Sequence, residues 1–316
     1  MTTLGTKNPL VRIANAVRAT IAPRRIPDRP ERDIQVIGHR GTPYGNPENT
    51  LGSFREAVAE GADGLETDIC VTRDGVWVLW HDIGPNNKLA LARQIHAEEY
   101  PFAPDAPPLG SEWRRPVAEL TLEELRAHYG YLRNGGDGRR IPIDLLEDLL
   151  AWAASQPRLK SICLDIKLGP HQADRIPELL RWVAPRARAG LSFDCLSTHR
   201  EVVTALLQEL KGGAYPPDLF RAVPDFELPG VLRIAKKLGA SCVSVSCSKR
   251  MWAAVRDELV GLMRARDEGK LSRVLVWTCN KPKELALLRK LRVDGIITDH
   301  PALLRRILAE RPPAEA

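Results

Sequence analysis

Five residues that could do chemistry together fall between Val36 and Asp82: His39, Arg40, Glu66, Asp68 and His81. Imidazole gives or takes a proton near neutrality without a large pKa shift, so the two histidines offer an acid and a base. The reading from sequence makes His39 the base and His81 the acid. Glu66 and Asp68 stand two apart inside the apolar run Gly64–Thr72. On a strand that spacing puts both carboxylates on one face. With no cation between them in sequence, such a pair calls for a metal ion or a proton.

Short elements must position these groups. Ile34–Gly38 is a β-branched run that delivers His39-Arg40-Gly41 at its end. Asn49 reads as a helix cap, Leu51, Phe54, Ala57 and Val58 recur at helical spacing, and Gly61 is placed to stop the helix. Thr72-Arg73-Asp74-Gly75 is turn chemistry, and Val76–Trp80 returns as a second apolar run. So short a connection makes an antiparallel hairpin. Centred on Arg73-Asp74, it sets Leu79 opposite Asp68 and His81 opposite Glu66, about 5 Å away. A parallel sheet joining the first two strands would bring His39 and Arg40 to the same end.

Regular alternation follows from Leu145. Strands are expected at Ser161–Lys167, Gly190–Cys195, Leu219–Val223, Ser241–Cys247, Arg273–Thr278 and Gly295–Thr298. Helices are expected at Leu145–Ser155, Ala173–Ala184, Arg200–Lys211, Gly230–Leu238, Met251–Arg266, Pro282–Leu291 and Ala302–Ala309. With the first two strands this makes eight β units, the pattern of an α/β chain folded as a (β/α)8 TIM-type barrel. It would carry a hairpin at strand 2 and an insertion, about residues 83–140, over the mouth. Six prolines bar that insertion from being one long element, while Thr121 and Glu124 form a capping box for a short helix at Thr121–Tyr129.

The motifs HRG (His39–Gly41), PENT (Pro47–Thr50), GADGLETDICVTRDG (Gly61–Gly75) and HD (His81-Asp82) closely resemble the glycerophosphodiester phosphodiesterase family. The resemblance resumes at LDIK (Leu164–Lys167), SFD (Ser192–Asp194), VLVWTCN (Val274–Asn280) and DGIITDHP (Asp294–Pro301), spanning Gln35 to Leu304 with gaps. It implies a TIM-type barrel, one divalent cation, Mg²⁺ or Ca²⁺, and hydrolysis of a phosphodiester to an alcohol and a phosphomonoester. Such an ester resists attack because its charge repels nucleophiles and its alkoxide leaves poorly. Neutralising, protonating and supplying a nucleophile are therefore the tasks. Glu66, Asp68 and Asp165 are the expected metal ligands, Arg40 and Lys167 the phosphate-binding cations. Glu48 is expected to anchor the first loop or face the ion from outside, and Trp277 to line the pocket or pack. Asp299, in TDHP, is expected to order the loop that closes the barrel.

Two positions depart from the family pattern. Asp165 stands where Glu is more usual, and IGPNNKLALARQIH replaces an Arg- and Thr-rich segment after HD. LDIK also resembles sphingomyelinase D, so a lysophospholipid substrate is the alternative. A barrel that binds phosphoesters without turnover is a lesser one, since it predicts a lost catalytic group and none is lost.

Of the 316 residues, 44% are hydrophobic, as in an ordinary globular core, and the net charge of +6 suits anionic substrates or membrane surfaces. No basic stripe with interleaved aromatics points to nucleic acid. Six cysteines without a CxxC pair favour a reduced, cytoplasmic compartment. No apolar run reaches the ~18 residues of a membrane span. Residues 1–33 form a basic extension, one Lys and six Arg against three acids, with Leu10, Ile13, Ala14, Val17 and Ile21 at helical spacing. That pattern suits a cationic amphipathic helix, residues 9–22, on a membrane face, a cap on the barrel bottom, or a frayed tail. The barrel would span 34–310, with 311–316 as a tail.

Overall fold

The computed structural model describes residues 33–95, 100–226, 230–246 and 252–310. The basic extension up to residue 32, the tail 311–316 and Cys247 lie outside them. Eight parallel strands close a barrel: β1 (Gln35–Gly38), β2 (Gly64–Val71), β6 (Ser161–Ile166), β7 (Ser192–Ser197), β8 (Phe220–Phe226), β9 (Cys242–Ser246), β10 (Arg273–Trp277) and β11 (Gly295–Thr298). Closure runs through β1 paired with β11 on one side and with β2 on the other. Helices follow the strands, so this is a TIM-type (β/α)8 fold, as expected. Alternation divides the burial. Ile37, Cys163, Leu196, Val223, Cys242, Leu275 and Ile297 fill the barrel interior, while Val36, Leu65, Ile162 and Leu164 belong to the core shared with the helices.

β2 has two sets of partners. Its first residues pair with β1, and Ile69–Val71 pair antiparallel with β3 (Trp77–Leu79). The hairpin forms, but one residue out of the expected register: Ile69 faces Leu79 and the Trp80 N–H bonds to the Asp68 carbonyl at 3.1 Å. The loop holds three residues rather than two, because Gly75 adopts φ +84° and extends the turn. A shift of one places Trp80, not Leu79, opposite Asp68.

Strand β8 outruns its expected end at Val223 by three residues. Pro224 reads as a strand breaker, yet it sits in register opposite Ser197, and the extension carries Asp225 to the mouth.

The insertion after β3 builds its own small core. β4 (Phe102–Asp105) and β5 (Gly130–Arg133) pair antiparallel, and Trp80, Leu120, Leu125, Tyr129, Tyr131 and Ile143 pack beside them. The capping box at Thr121 and Glu124 starts the helix Leu122–His128 as read. Where the insertion returns, Val78 bridges Leu145 and the Leu79 N–H bonds to the Asp144 carbonyl at 2.9 Å. Among the described residues no helix is long and apolar enough to cross a membrane.

Candidate active site

The sheet register gathers the expected residues at the C-terminal mouth. Gly38 pairs with Leu65, so His39 emerges level with Glu66, and Asp68 pairs directly with Asp165. Arg40 then turns into the left-handed region at φ +50°, aiming its own N–H at Glu66 Oε2, 2.9 Å away. Gly41 follows at φ +88°, and a Cβ there would meet Ser53 Oγ at 2.2 Å, so only glycine fits this close approach.

Thr50, not Asn49, caps the helix Leu51–Ala59. Asn49 is buried at φ +55° and serves the site instead. Its Nδ2 donates to Asp68 Oδ2 (2.9 Å), while its Oδ1 accepts from the Asp68 N–H and Thr67 Oγ1. The second carboxylate is thus fixed before any ligand arrives.

Glu66, Asp68 and Asp165 each offer an oxygen within 4.8 Å of the others. An all-oxygen donor set of this charge suits a hard cation such as Mg²⁺ or Ca²⁺. Burial, and next the Asp68 charge, push Glu66 up to about 8, so the cluster is short of positive charge. Asp68 is held well below the usual carboxylate range: burial opposes this, but Arg40 and Lys167 outweigh it. Those cations are close, with Arg40 Nε 2.9 Å from Asp68 Oδ2 and Lys167 Nζ 3.0 Å from Asp68 Oδ1. Glu48 lies outside the three-carboxylate group. It is clamped between Arg40 Nη1 at 2.7 Å and Arg93 Nη2, and despite burial these hold it down to about 2.

Each histidine has a carboxylate at its Nδ1. His39 Nδ1 lies 2.7 Å from Asp299 Oδ1, and His81 Nδ1 lies 2.6 Å from Asp82 Oδ1. With Nδ1 committed, Nε2 is the nitrogen left for proton transfer. The two rings are tuned apart. Burial disfavours the charged form of His39, but Asp299 overrides it and the pKa is raised; burial and then Arg40 lower that of His81.

Several contributors escape a local reading. Asp299 does more than order a loop, because it accepts from His39, from Tyr100 Oη (2.9 Å) and from Asn280 Nδ2. Trp277, half-buried, donates through Nε1 to Asp225 Oδ1 at 2.5 Å. Burial and the facing Asp165 push Asp225 up to about 7. Arg93 and Tyr100 come from the insertion. Asp82, next to His81 in HD, and Asp299, in TDHP, stood inside visible motifs; Arg93 had no such signal.

Cations, carboxylates and two tuned imidazoles at the mouth of a parallel barrel suit the hydrolysis of a phosphoric diester. Residues 39–203 match the model of the Glycerophosphoryl diester phosphodiesterase family, and 273–302 match a second model of that description. The chain belongs to this family. It is 26% identical over 282 residues to the "Probable glycerophosphodiester phosphodiesterase 2" of Mycobacterium tuberculosis, covering 87% of this chain and 91% of that one. Lysophospholipase D GDPD3 of Mus musculus is 24% identical, over 89% of this chain and 84% of its own. An Oleispira antarctica phosphodiesterase, solved with its product sn-glycerol-3-phosphate, shares the fold at TM-score 0.63 and 16% identity, covering 87% and 97%.

Proposed function

We propose that this phosphodiesterase hydrolyses glycerophosphodiesters to an alcohol and glycerol phosphate, using one divalent cation and a histidine pair. The observation that carries this reading is the meeting of three carboxylates within 4.8 Å with Arg40, Lys167, His39 and His81. Glu66, Asp68 and Asp165 would hold Mg²⁺ or Ca²⁺, which when bound supplies positive charge against the phosphate oxygens. Arg40 and Lys167 take up the remaining phosphate charge. His81, kept neutral, accepts through Nε2 the proton of the attacking water, or of a neighbouring substrate hydroxyl that closes a cyclic phosphate for water to open. His39, whose protonated form Asp299 favours, delivers one to the leaving oxygen. These roles reverse the order read from sequence, because Asp299 favours the imidazolium at His39 while Arg40 disfavours it at His81. Trp277 lines the pocket, and Glu48 holds Arg40 rather than the ion.

A lysophospholipid substrate is the second reading, favoured by Asp165 and by the mouse relative's being a lysophospholipase D. The buried thiols of Cys70, Cys163, Cys195 and Cys242, none of them in a disulfide, support a reducing, cytoplasmic location. A panel of glycerophosphocholine, glycerophosphoethanolamine and lysophosphatidylcholine, assayed in EDTA and after restoring Mg²⁺, Ca²⁺ or Mn²⁺, tests both readings. Full turnover in EDTA after dialysis overturns the metal requirement. Preference for the lysolipid overturns the first substrate.

A further inference from the structure

We infer that Arg93, on the insertion helix Lys88–Gln94, is a positioning residue that aligns His81 through Asp82 and Arg40 through Glu48. The inference rests on the proposed roles of His81 and Arg40. Arg93 is 2% exposed, in a helix capped by Asn87, whose Oδ1 accepts from the Ala90 N–H at 2.8 Å. Its guanidinium meets two different carboxylates: Nη2 bonds Glu48, and Nε lies 3.2 Å from Asp82. Beyond Glu48 stands Arg40 and then Asp68; beyond Asp82 stands His81. Six charged or titratable groups thus form one chain, Asp68–Arg40–Glu48–Arg93–Asp82–His81, with Arg93 joining its halves.

The planar fork explains the residue type. A guanidinium presents donors in fixed directions and can hold both acids at once, whereas an ammonium is a point charge. Removing it would leave Glu48 and Asp82, 6% and 3% exposed, facing one another without the cation that separates them. The helix stands in the segment IGPNNKLALARQIH, where the sequence leaves the family pattern, so the insertion supplies from outside the barrel a cation that both arms of the site require.

The test uses the full chain with glycerophosphocholine and saturating Mg²⁺, comparing wild type, Arg93→Lys, His81→Ala and the double variant. Arg93→Lys should lower kcat about 10- to 100-fold and raise KM, the range expected when a catalytic group is misplaced. In the His81→Ala background the same change should leave kcat within about threefold, because a residue that acts through His81 has nothing left to act on. Its KM effect, carried by Arg40, should persist. A wild-type kcat for Arg93→Lys, or a second full drop in the double variant, overturns the inference. An active His81→Ala enzyme overturns instead the reading on which it rests. Should Arg93→Lys not fold, the paired change Arg93→Gln with Glu48→Gln removes a cation and an anion together, and the same kcat criterion applies.

Discussion

Lys167 Nζ lies 2.5 Å from Asp165 Oδ2, and the same ammonium reaches Asp68. Lysine therefore engages two of the three carboxylates that would hold a divalent cation. Replacing it by Met should tighten Mn²⁺ binding, measured by calorimetry, and lower kcat/KM by about 10²-fold through the lost phosphate contact. Unchanged metal affinity would show that ammonium and ion do not compete.

Glu66, pushed up to about 8, keeps its proton at pH 7 in the cation-free protein. A metal ion requires the carboxylate, so binding at pH 7 should release nearly one proton, and none at pH 9.5. Calorimetry in buffers of different ionisation enthalpy reads this number directly. Glu66→Gln should abolish the release along with turnover. No release at pH 7 would contradict the raised pKa.

Asp165 already lies within 4.8 Å of both partners, on a strand in flush register with β2. Asp165→Glu therefore adds a methylene to a filled cluster and should reduce kcat about tenfold without tightening the metal. Tighter metal binding with full turnover would mean that Asp165 works through water. Asp165→Ala at wild-type affinity and rate would remove it from the ligand set.

The pH dependence follows from the tuned rings. His81 must be neutral, so kcat/KM should rise through a pKa below 6.5; His39 must be protonated, so it should fall through one above 6.5. A bell results, and each His→Ala change should cost roughly 10²–10⁴-fold. The roles separate on a p-nitrophenyl diester, whose leaving group needs no proton. His39→Ala should recover most of its activity on that substrate and His81→Ala should not. Recovery in His81→Ala would restore the order read from sequence.

The motif residues were legible because they are local: His39, Arg40, His81, Asp165 and Lys167 lie within two residues of a strand end, Glu66 and Asp68 share one strand, and strand periodicity fixes the face. The eight β units could be read because helix and strand patterns alternate without interruption after Leu145. Where reading failed, a single residue decided. Gly75 lengthened a turn and shifted the hairpin, Asn49 gave up the cap for Asp68, and Pro224 sat inside a strand. Arg93 was beyond reach for another reason. Its partner Glu48 is 45 residues away, and a lysine or arginine in a polar insertion reads as solvated until its burial is known.

The insertion leaves and rejoins the barrel at one point, the Val78–Leu145 bridge. It is therefore a cassette: 66 residues (79–144), packed on a buried core to which, among the described residues, the barrel adds only Cys70 and Val78, entering and leaving through adjacent backbones. Barrel closure, three carboxylates and His39 lie wholly outside it. Exchange of the cassette between relatives would change the mouth while keeping the barrel, provided that the incoming piece still delivers the imidazole and carboxylate of His81 and Asp82 and a cation between Asp82 and Glu48. Those three side chains are the socket by which a new rim would have to be plugged in.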